Sequence, residues 1–259
     1  MIDVHCHLEQ PDYDKDREAV ISRCRQLTAV ISSCGHPKHF NLTMQLVGKY
    51  PNFIFATASI HPIYVKEISK EQITEFFELI KKNRESLVGI GETGLDFKIE
   101  EEFRKRQEEL FLEFIELSKA LRLPLVVHAR AAFAEAIEIL EQHAAKHVLI
   151  HFFTARKLLS KVIDNGWYIS VNTTLLRSKN IIKIVRDMPI EKILTETDSP
   201  WLAVGNGIKE PSEKRNEPTA IKLVVKKIAE IKKLPVAEVD RQTTENAKKF
   251  FKLKIKNRV

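Results

Sequence analysis

The 259-residue sequence predicts an α/β protein folded as a single-domain (β/α)8 barrel of the TIM type, spanning residues 1–259. Three observations predict it: eight short apolar segments recur along the chain, segments of helical spacing separate them, and no phosphate-binding signature of an open doubly wound sheet is present. There is no GxGxxG after the first strand and no GxxxxGK[ST] anywhere. Strand and helix in alternation argue for a parallel sheet covered by helices, and eight such units point to closure.

The first three strand segments are "MIDVHCHL", "TAVISSCG" and "NFIFATASIHP", each rich in β-branched or aromatic residues. The spacing then predicts a helix from Ser69 to Leu87: Ser69 and Gln72 form a capping box, and Ile73, Phe76, Phe77 and Ile80 make one apolar face. The fourth strand, "SLVGIGETGLD", precedes a helix from Glu101 to Leu123 whose apolar side carries Phe103, Leu110, Phe111, Phe114, Ile115 and Leu121. "LPLVVHAR", "HVLIHFF", "WYISVN" and "KILTETDSP" supply strands five to eight. "VGNGIKEPSEKRNEPTA" is the most loop-like stretch and is expected to cover one mouth of the barrel.

Composition narrows the class. With 44% hydrophobic and 30% charged residues, and only 8 Gly and 10 Pro, the chain has a globular profile with little room for disordered linkers. No run approaches the ~18 apolar residues of a membrane span, and the start lacks a signal-peptide layout, so no membrane partner and a cytoplasmic location are expected. Cys6, Cys24 and Cys34 lack CxxC spacing and read as small buried hydrophobes. The net charge of +7 lies in the last 39 residues, where 12 Lys or Arg face 4 Asp or Glu. Such a tail fits either a steering surface for a polyanion or a solvated helix face.

The chemistry concentrates at the strand ends. Residues two apart in a strand share a face, so Asp3, His5 and His7 project one way while Val4, Cys6 and Leu8 project the other. Two imidazoles so placed can reach one ion, although HxH alone also fits two core histidines. Recurrence separates these readings: Glu92 follows "SLVGIG", His128 follows "LPLVV", His151 follows "HVLI" and Asp198 follows "ILTET". In a (β/α)8 barrel all strand C-termini open on one face, which carries the chemistry. Six ligands exceed what one tetrahedral ion needs, so two divalent ions are expected, with Glu92 suited to bridge them. The nitrogen-rich set favours Zn²⁺ or Mn²⁺ over Mg²⁺. Asp3, two residues deeper on the same face, is expected to orient a ligand histidine.

"HCHL", "SIHP", "GETGLDF", "RQEELF", "LVVHAR", "LIHFF", "TETDSPWL", "KRNEP" and "TTENAKKFF", in this order, resemble the TatD family of metal-dependent deoxyribonucleases, among the amidohydrolase-type barrels. The resemblance runs essentially end to end. It implies one ion held by His5, His7, Glu92 and Asp198 and a second held by Glu92, His128 and His151. It also implies that His61 is an active-site histidine contacting a phosphate or protonating a leaving group, with Arg130, Arg215 and Glu217 as substrate-binding residues. The sequence departs from the family pattern at Ser59 and Glu213, where glycine is usual, and at Ala155 in "HFFTA".

Three functions are then distinguishable. The first is hydrolysis of a phosphodiester at the end of single-stranded DNA by a metal-activated water, with Glu92 bridging the ions, Asp198 accepting the water's proton and His61 returning one to the departing 3′-oxygen. The second keeps the metal site but cleaves an amide or ester, as a deacylase acting on a small or RNA-linked substrate. The third is a basic nucleic-acid-binding module whose histidines are structural; with only 4 Tyr and 2 Trp, the chain offers no aromatic stripe for it.

Overall fold

The computed structural model describes residues 1–204 and 215–255. Eight parallel strands in the order β1 to β8 form the barrel. They are β1 (Ile2–Cys6), β2 (Ala29–Cys34), β3 (Ile54–Ala58), β4 (Gly89–Asp96), β5 (Leu125–Arg130), β6 (Val148–Ile150), β7 (Tyr168–Val171) and β8 (Ile193–Thr195). Each of the eight apolar segments is one of these strands.

The helices are α1 (Arg17–Cys24), α2 (Phe40–Lys49), α3 (Lys70–Lys82), α4 (Arg104–Leu121), α5 (Phe133–Gln142), α6 (Leu159–Asp164), α7 (Lys179–Asp187), α8 (Ile221–Lys232) and α9 (Val236–Phe251). The capping box at α3 forms as the sequence predicts. The helix nevertheless stops at Asn83, whose side-chain amide donates to the Leu79 carbonyl. α4 begins later than expected because Glu101–Phe103 wind as a 3-10 turn. It ends at Arg122, which adopts the left-handed conformation at φ 53°.

Two apolar layers hold the barrel. The larger lies between strands and helices, with Phe111, Phe114, Trp167 and Val225 fully buried. The smaller fills the barrel's N-terminal end, where Ile2, Val4, Ile31, Val126, Leu149 and Leu194 meet Ala247, Phe250 and Phe251 of α9. Helix α9 therefore plugs the face opposite the strand C-termini.

This places the basic C-terminal stretch. The lysines of α8 and α9 lie on their outer faces, some paired locally, as Lys227 with Glu230 and Lys248 with Glu245. In its described part the stretch forms a solvated helix surface around the plugged end. Lys214 and Glu213 lie outside the described residues, as does most of the expected loop over the mouth.

The seam between β1 and β8 is closed by individual bonds. The Thr195 hydroxyl donates to the Ile2 carbonyl at 3.1 Å, Asp198 N–H to the His5 carbonyl at 2.9 Å and His7 N–H to the Ser199 carbonyl at 2.8 Å. Asp3 lies within this seam. Its buried carboxylate accepts from the Thr197 N–H at 3.0 Å, the Thr197 hydroxyl at 2.5 Å and the His5 N–H at 3.2 Å. Asp3, expected to orient a ligand histidine, holds His5 through its backbone N–H and not its ring; with Thr197 it latches the barrel seam, and burial pushes its carboxyl well above the usual range.

Candidate metal centre

Glu92 projects into the barrel mouth because β4 bulges at its base. The register shifts between the Ile90–Leu125 and Thr93–Val127 pairs, so β4 spends three residues where β5 spends two. Glycine permits this on both sides. Gly91 and Gly94 each have φ 140°, and a Cβ would sit 2.4 Å from the Val126 carbonyl oxygen at the first and 2.1 Å from that of His128 at the second. The space that the glycines of "GIGETG" leave is therefore taken by the β5 backbone. Ser59, one of the family departures, supports the same bulge by donating from Oγ to the Glu92 carbonyl at 2.5 Å.

A cavity of about 360 Å³ opens at the strand C-termini, lined by His7, His61, Glu92, Asp96, His128, Arg130, His151, Asp198 and Trp201 among others. Its polar atoms fall into two groups around the Glu92 carboxylate. Oε1 lies 3.4 Å from Nε2 of both His5 and His7, and these two nitrogens lie 3.7 and 3.5 Å from Oδ1 of Asp198. Oε2 lies 2.9 Å from His151 Nε2, 3.4 Å from His128 Nδ1 and 3.7 Å from His61 Nε2. In a tetrahedral ion with bonds of about 2.0–2.1 Å, ligand atoms stand about 3.3–3.4 Å apart. The first group, at 3.4–3.7 Å, lies close to that spacing, and the second is drawn tighter, with His151 Nε2 at 2.9 Å from the carboxylate and 3.1 Å from His128 Nδ1. His5 Nε2 and His7 Nε2 are moreover buried with no hydrogen-bond partner, which a cation between them and the carboxylates would relieve.

By position alone, His61 could join the second group as a ligand. The far side of each ring argues otherwise. A ligand nitrogen needs its lone pair free, so a neutral ring must carry its proton on the other nitrogen, which then seeks an acceptor. His128 Nε2 is hydrogen-bonded to Asp96 Oδ2 at 3.2 Å, while His7 Nδ1 and His151 Nδ1 have no hydrogen bond but lie nearest to carboxylates, Glu9 Oε1 at 3.3 Å and Glu196 Oε1 at 3.6 Å. His5 Nδ1 meets the Ser33 hydroxyl at 3.0 Å. His61 is the reverse: its Nδ1 accepts from the Ile63 backbone N–H at 3.2 Å, so the neutral ring carries its proton on Nε2, which at the cavity lies 3.2 Å from His128 Nδ1.

Electrostatics agree. Burial disfavours charge on Glu92, yet His5 and His151 around it and the hydrogen bond from His128 hold its carboxyl well below the usual range. Burial opposes charge on His7 too, but Asp198 and Glu9 raise it well above the ordinary histidine value. His151 is raised well above it by Glu92 and Glu196, and His128 is raised by Asp96 and Glu92, each against burial. Burial, reinforced by His128, pushes His61 well below. The set thus holds an ionised Glu92 and one ring, His61, that stays neutral.

Five of the six predicted ligands and His61 line this cavity, His5 lies fully buried behind it against Glu92 and Asp198, and Arg130 stands exposed at the rim. Arg215 and Glu217 do not line it. Arg215 forks the Asp16 carboxylate at 2.7 Å through both terminal nitrogens and stacks over Tyr13, and Glu217 pairs with Arg23 at 2.6 Å. Together they fasten the chain to α1 where it returns beneath the mouth. Sequence reasoning passed over Glu9, Asp96, Glu196 and Ser33, the groups behind the ligand rings. Their signal was present: Glu9 stands two residues past His7, Asp96 four past Glu92 and Glu196 two before Asp198, each an acid at a strand end.

The sequence model of the family described as "TatD related DNase" matches residues 2–252. Among curated proteins, the chain is 30% identical to "Deoxyribonuclease TATDN3" of Homo sapiens, covering 97% of this chain and 94% of that one. It is 35% identical to "Uncharacterized metal-dependent hydrolase MJ1582" of Methanocaldococcus jannaschii, covering 98% of each. Among solved structures, the Escherichia coli K12 TatD homologue YJJV superposes with a TM-score of 0.90 at 22% identity, over 97% of this chain and 98% of that one, a likeness of fold. A nearly full-length family match, with full-length relatives at this identity, shows that the chain belongs to the TatD related DNase family.

Proposed function

We propose that this chain is a divalent-metal-dependent hydrolase that cleaves phosphodiester bonds at single-stranded DNA ends. The carrying observation is the division of the Glu92 carboxylate between two sets of ligand nitrogens. In this reading His5, His7, Glu92 and Asp198 would hold one ion, and Glu92, His128 and His151 a second; the ligand atoms that lie within reach of one ion fall into His5, His7 and Asp198, into His5, Glu92 and His151, and into His61, Glu92 and His128. Zn²⁺ and Mn²⁺ suit these nitrogen-rich sets better than Mg²⁺. When bound, such ions supply Lewis acidity that activates water and offsets charge growing on the phosphoryl oxygens.

The protein's own groups do the rest. Asp198, at the cavity edge, accepts the proton of the attacking water. The His61 Nε2–H, held as a donor by the Ile63 backbone, hydrogen-bonds a phosphoryl oxygen or supplies a proton to the departing 3′-oxygen. Arg130 at the rim takes a neighbouring phosphate through its planar fork. A DNA substrate is supported by relatives named as deoxyribonucleases, and hydrolysis by those named as metal-dependent hydrolases.

The test compares native protein with Glu92→Ala by elemental analysis and by hydrolysis of end-labelled oligonucleotides beside an amide and ester panel. Native protein should retain up to two ions and degrade single-stranded ends. Glu92→Ala should lose both properties, with hydrolysis falling by at least about three orders of magnitude. Turnover of an amide with none of DNA would transfer the site to the deacylase chemistry; full hydrolysis by the metal-free variant would sink the metal reading.

A further inference from the structure

Trp201 is 45% exposed, the one aromatic among the large exposed apolar side chains of the described residues. It stands at the rim of the catalytic cavity. One edge of the ring is committed, meeting the His7 imidazole with centroids 4.8 Å apart at 61°. The rest faces solvent over the mouth. An indole in that position leaves apolar area in water for no gain in packing.

The backbone beneath it is pinned. Trp201 N–H donates to the Asp198 carbonyl at 3.0 Å, Asn216 N–H to the Pro200 carbonyl at 2.8 Å and the Thr173 hydroxyl to the Leu202 carbonyl at 2.5 Å. The ring is thus carried on the same turn that presents Asp198, at a fixed distance from the ligand set. Of the other large aromatics at the cavity, Tyr64 is already engaged, by His36 at 4.8 Å edge-on and by Lys38 at 6.0 Å, and Phe152 is partly buried against the hydrophobic core.

We propose that Trp201 is a nucleobase platform: the base next to the scissile phosphate stacks on its free face while Arg130 engages the phosphate chain. The proposal rests on the phosphodiesterase reading above and names its substrate more closely. A base inside a duplex is stacked on both faces and cannot lie on an indole, whereas an unpaired base can. A cavity of about 360 Å³ is at the small end for ligand sites and suits one nucleotide unit. Stacking is indifferent to base identity, so the platform selects an unpaired end without selecting a sequence.

The test crosses the residue with the base. Holoenzyme, Trp201→Phe and Trp201→Ala are assayed on single-stranded oligonucleotides whose terminal residue at either end is normal or abasic. In the native enzyme, an abasic residue at the attacked end should lower kcat/KM about tenfold, within the range of base–aromatic stacking. Trp201→Phe should keep most of that discrimination. Trp201→Ala should be slower on the normal end and indifferent to the missing base, since the two losses remove one interaction. Discrimination that survives in Trp201→Ala would overturn the proposal, as would equal losses on normal and abasic ends in that variant.

Binding is read separately from turnover. Trp167 is 1% exposed, so quenching of the native fluorescence by a titrated deoxynucleoside monophosphate reports Trp201, with deoxyribose 5-phosphate as the base-free control. Quenching by the nucleotide alone, without DNA hydrolysis, would keep the platform and reject the nuclease reading. Hydrolysis with no quenching and no abasic effect would keep the nuclease and reject the platform.

Discussion

Replacing Asp96 by Asn isolates what lies behind one ligand. The buried Asp96 carboxylate faces His128 Nε2 at 3.2 Å and also accepts the Lys98 N–H at 2.9 Å. Asn keeps the shape and one acceptor oxygen but removes the charge. A hydrogen bond to a charged partner contributes about 1.5–3 kcal/mol net, a neutral one about 0.5–1.5. The loss is therefore about 1–1.5 kcal/mol, close to tenfold in affinity for the ion that His128 would hold. The ion held by His5 and His7 should be unaffected, because Ser33 and Glu9 support those rings. Titration calorimetry of metal-stripped protein with Zn²⁺ at pH 8 should resolve one weakened and one unchanged step. At pH 6 the difference should narrow, since Asp96 also raises His128, and the native ring must shed a proton that the variant's ring holds less firmly. Equal weakening of both steps, or a gap that widens as pH falls, would refute the orienting role.

Gly94→Ala forces a Cβ within 2.1 Å of the His128 carbonyl oxygen at φ 140°, and should lower stability by about 2–6 kcal/mol; an unchanged urea midpoint would contradict the bulge as the source of the glycine requirement. His7, His128 and His151 are raised in the folded protein, so metal uptake should release protons and tighten as pH rises, detectable from the buffer dependence of the binding enthalpy. By the same sign, these rings stabilise the metal-free fold below the ordinary histidine value of about 6.5, and that contribution is lost as pH rises through their folded values. The metal-free Tm should then fall between pH 6 and 8 while the loaded protein's does not. Arg215→Lys keeps the charge but breaks the fork to Asp16; it should cost about 0.5–1 kcal/mol and leave KM unchanged, and a raised KM would return Arg215 to the substrate.

The cluster of candidate ligands was legible in the sequence because barrel geometry sends every strand's C-terminus to one face, so residue type at a strand end carries positional information. His5, His7, Glu92, His128, His151 and Asp198 all announced themselves this way. Asp3 shared their periodicity and did something else. Strand alternation gives direction but not depth, and two residues deeper the neighbour is the Thr197 backbone. The division of the histidines into ligands and a donor came from the family resemblance and not from spacing, because physically it depends on a single hydrogen bond from Ile63. Arg215 and Glu217 looked like mouth residues for want of knowing that Asp16 and Arg23 wait on α1. The helices' interiors followed from apolar spacing, whereas their ends were set by local bonds such as that of Asn83.

The seam between β1 and β8 carries a consequence for how the protein is made. His5 lies in the first strand and His7 just past its end, while Asp198 follows the last, so one proposed ion is gripped by segments separated by almost the whole barrel. Contacts of such sequence separation close late, after the intervening units have packed. A chain still emerging from synthesis, with β8 unmade, lacks Asp198 and the backbone bonds that bring it to β1. Hydrolytic capacity would then switch on only with ring closure, which keeps every partly folded intermediate chemically inert.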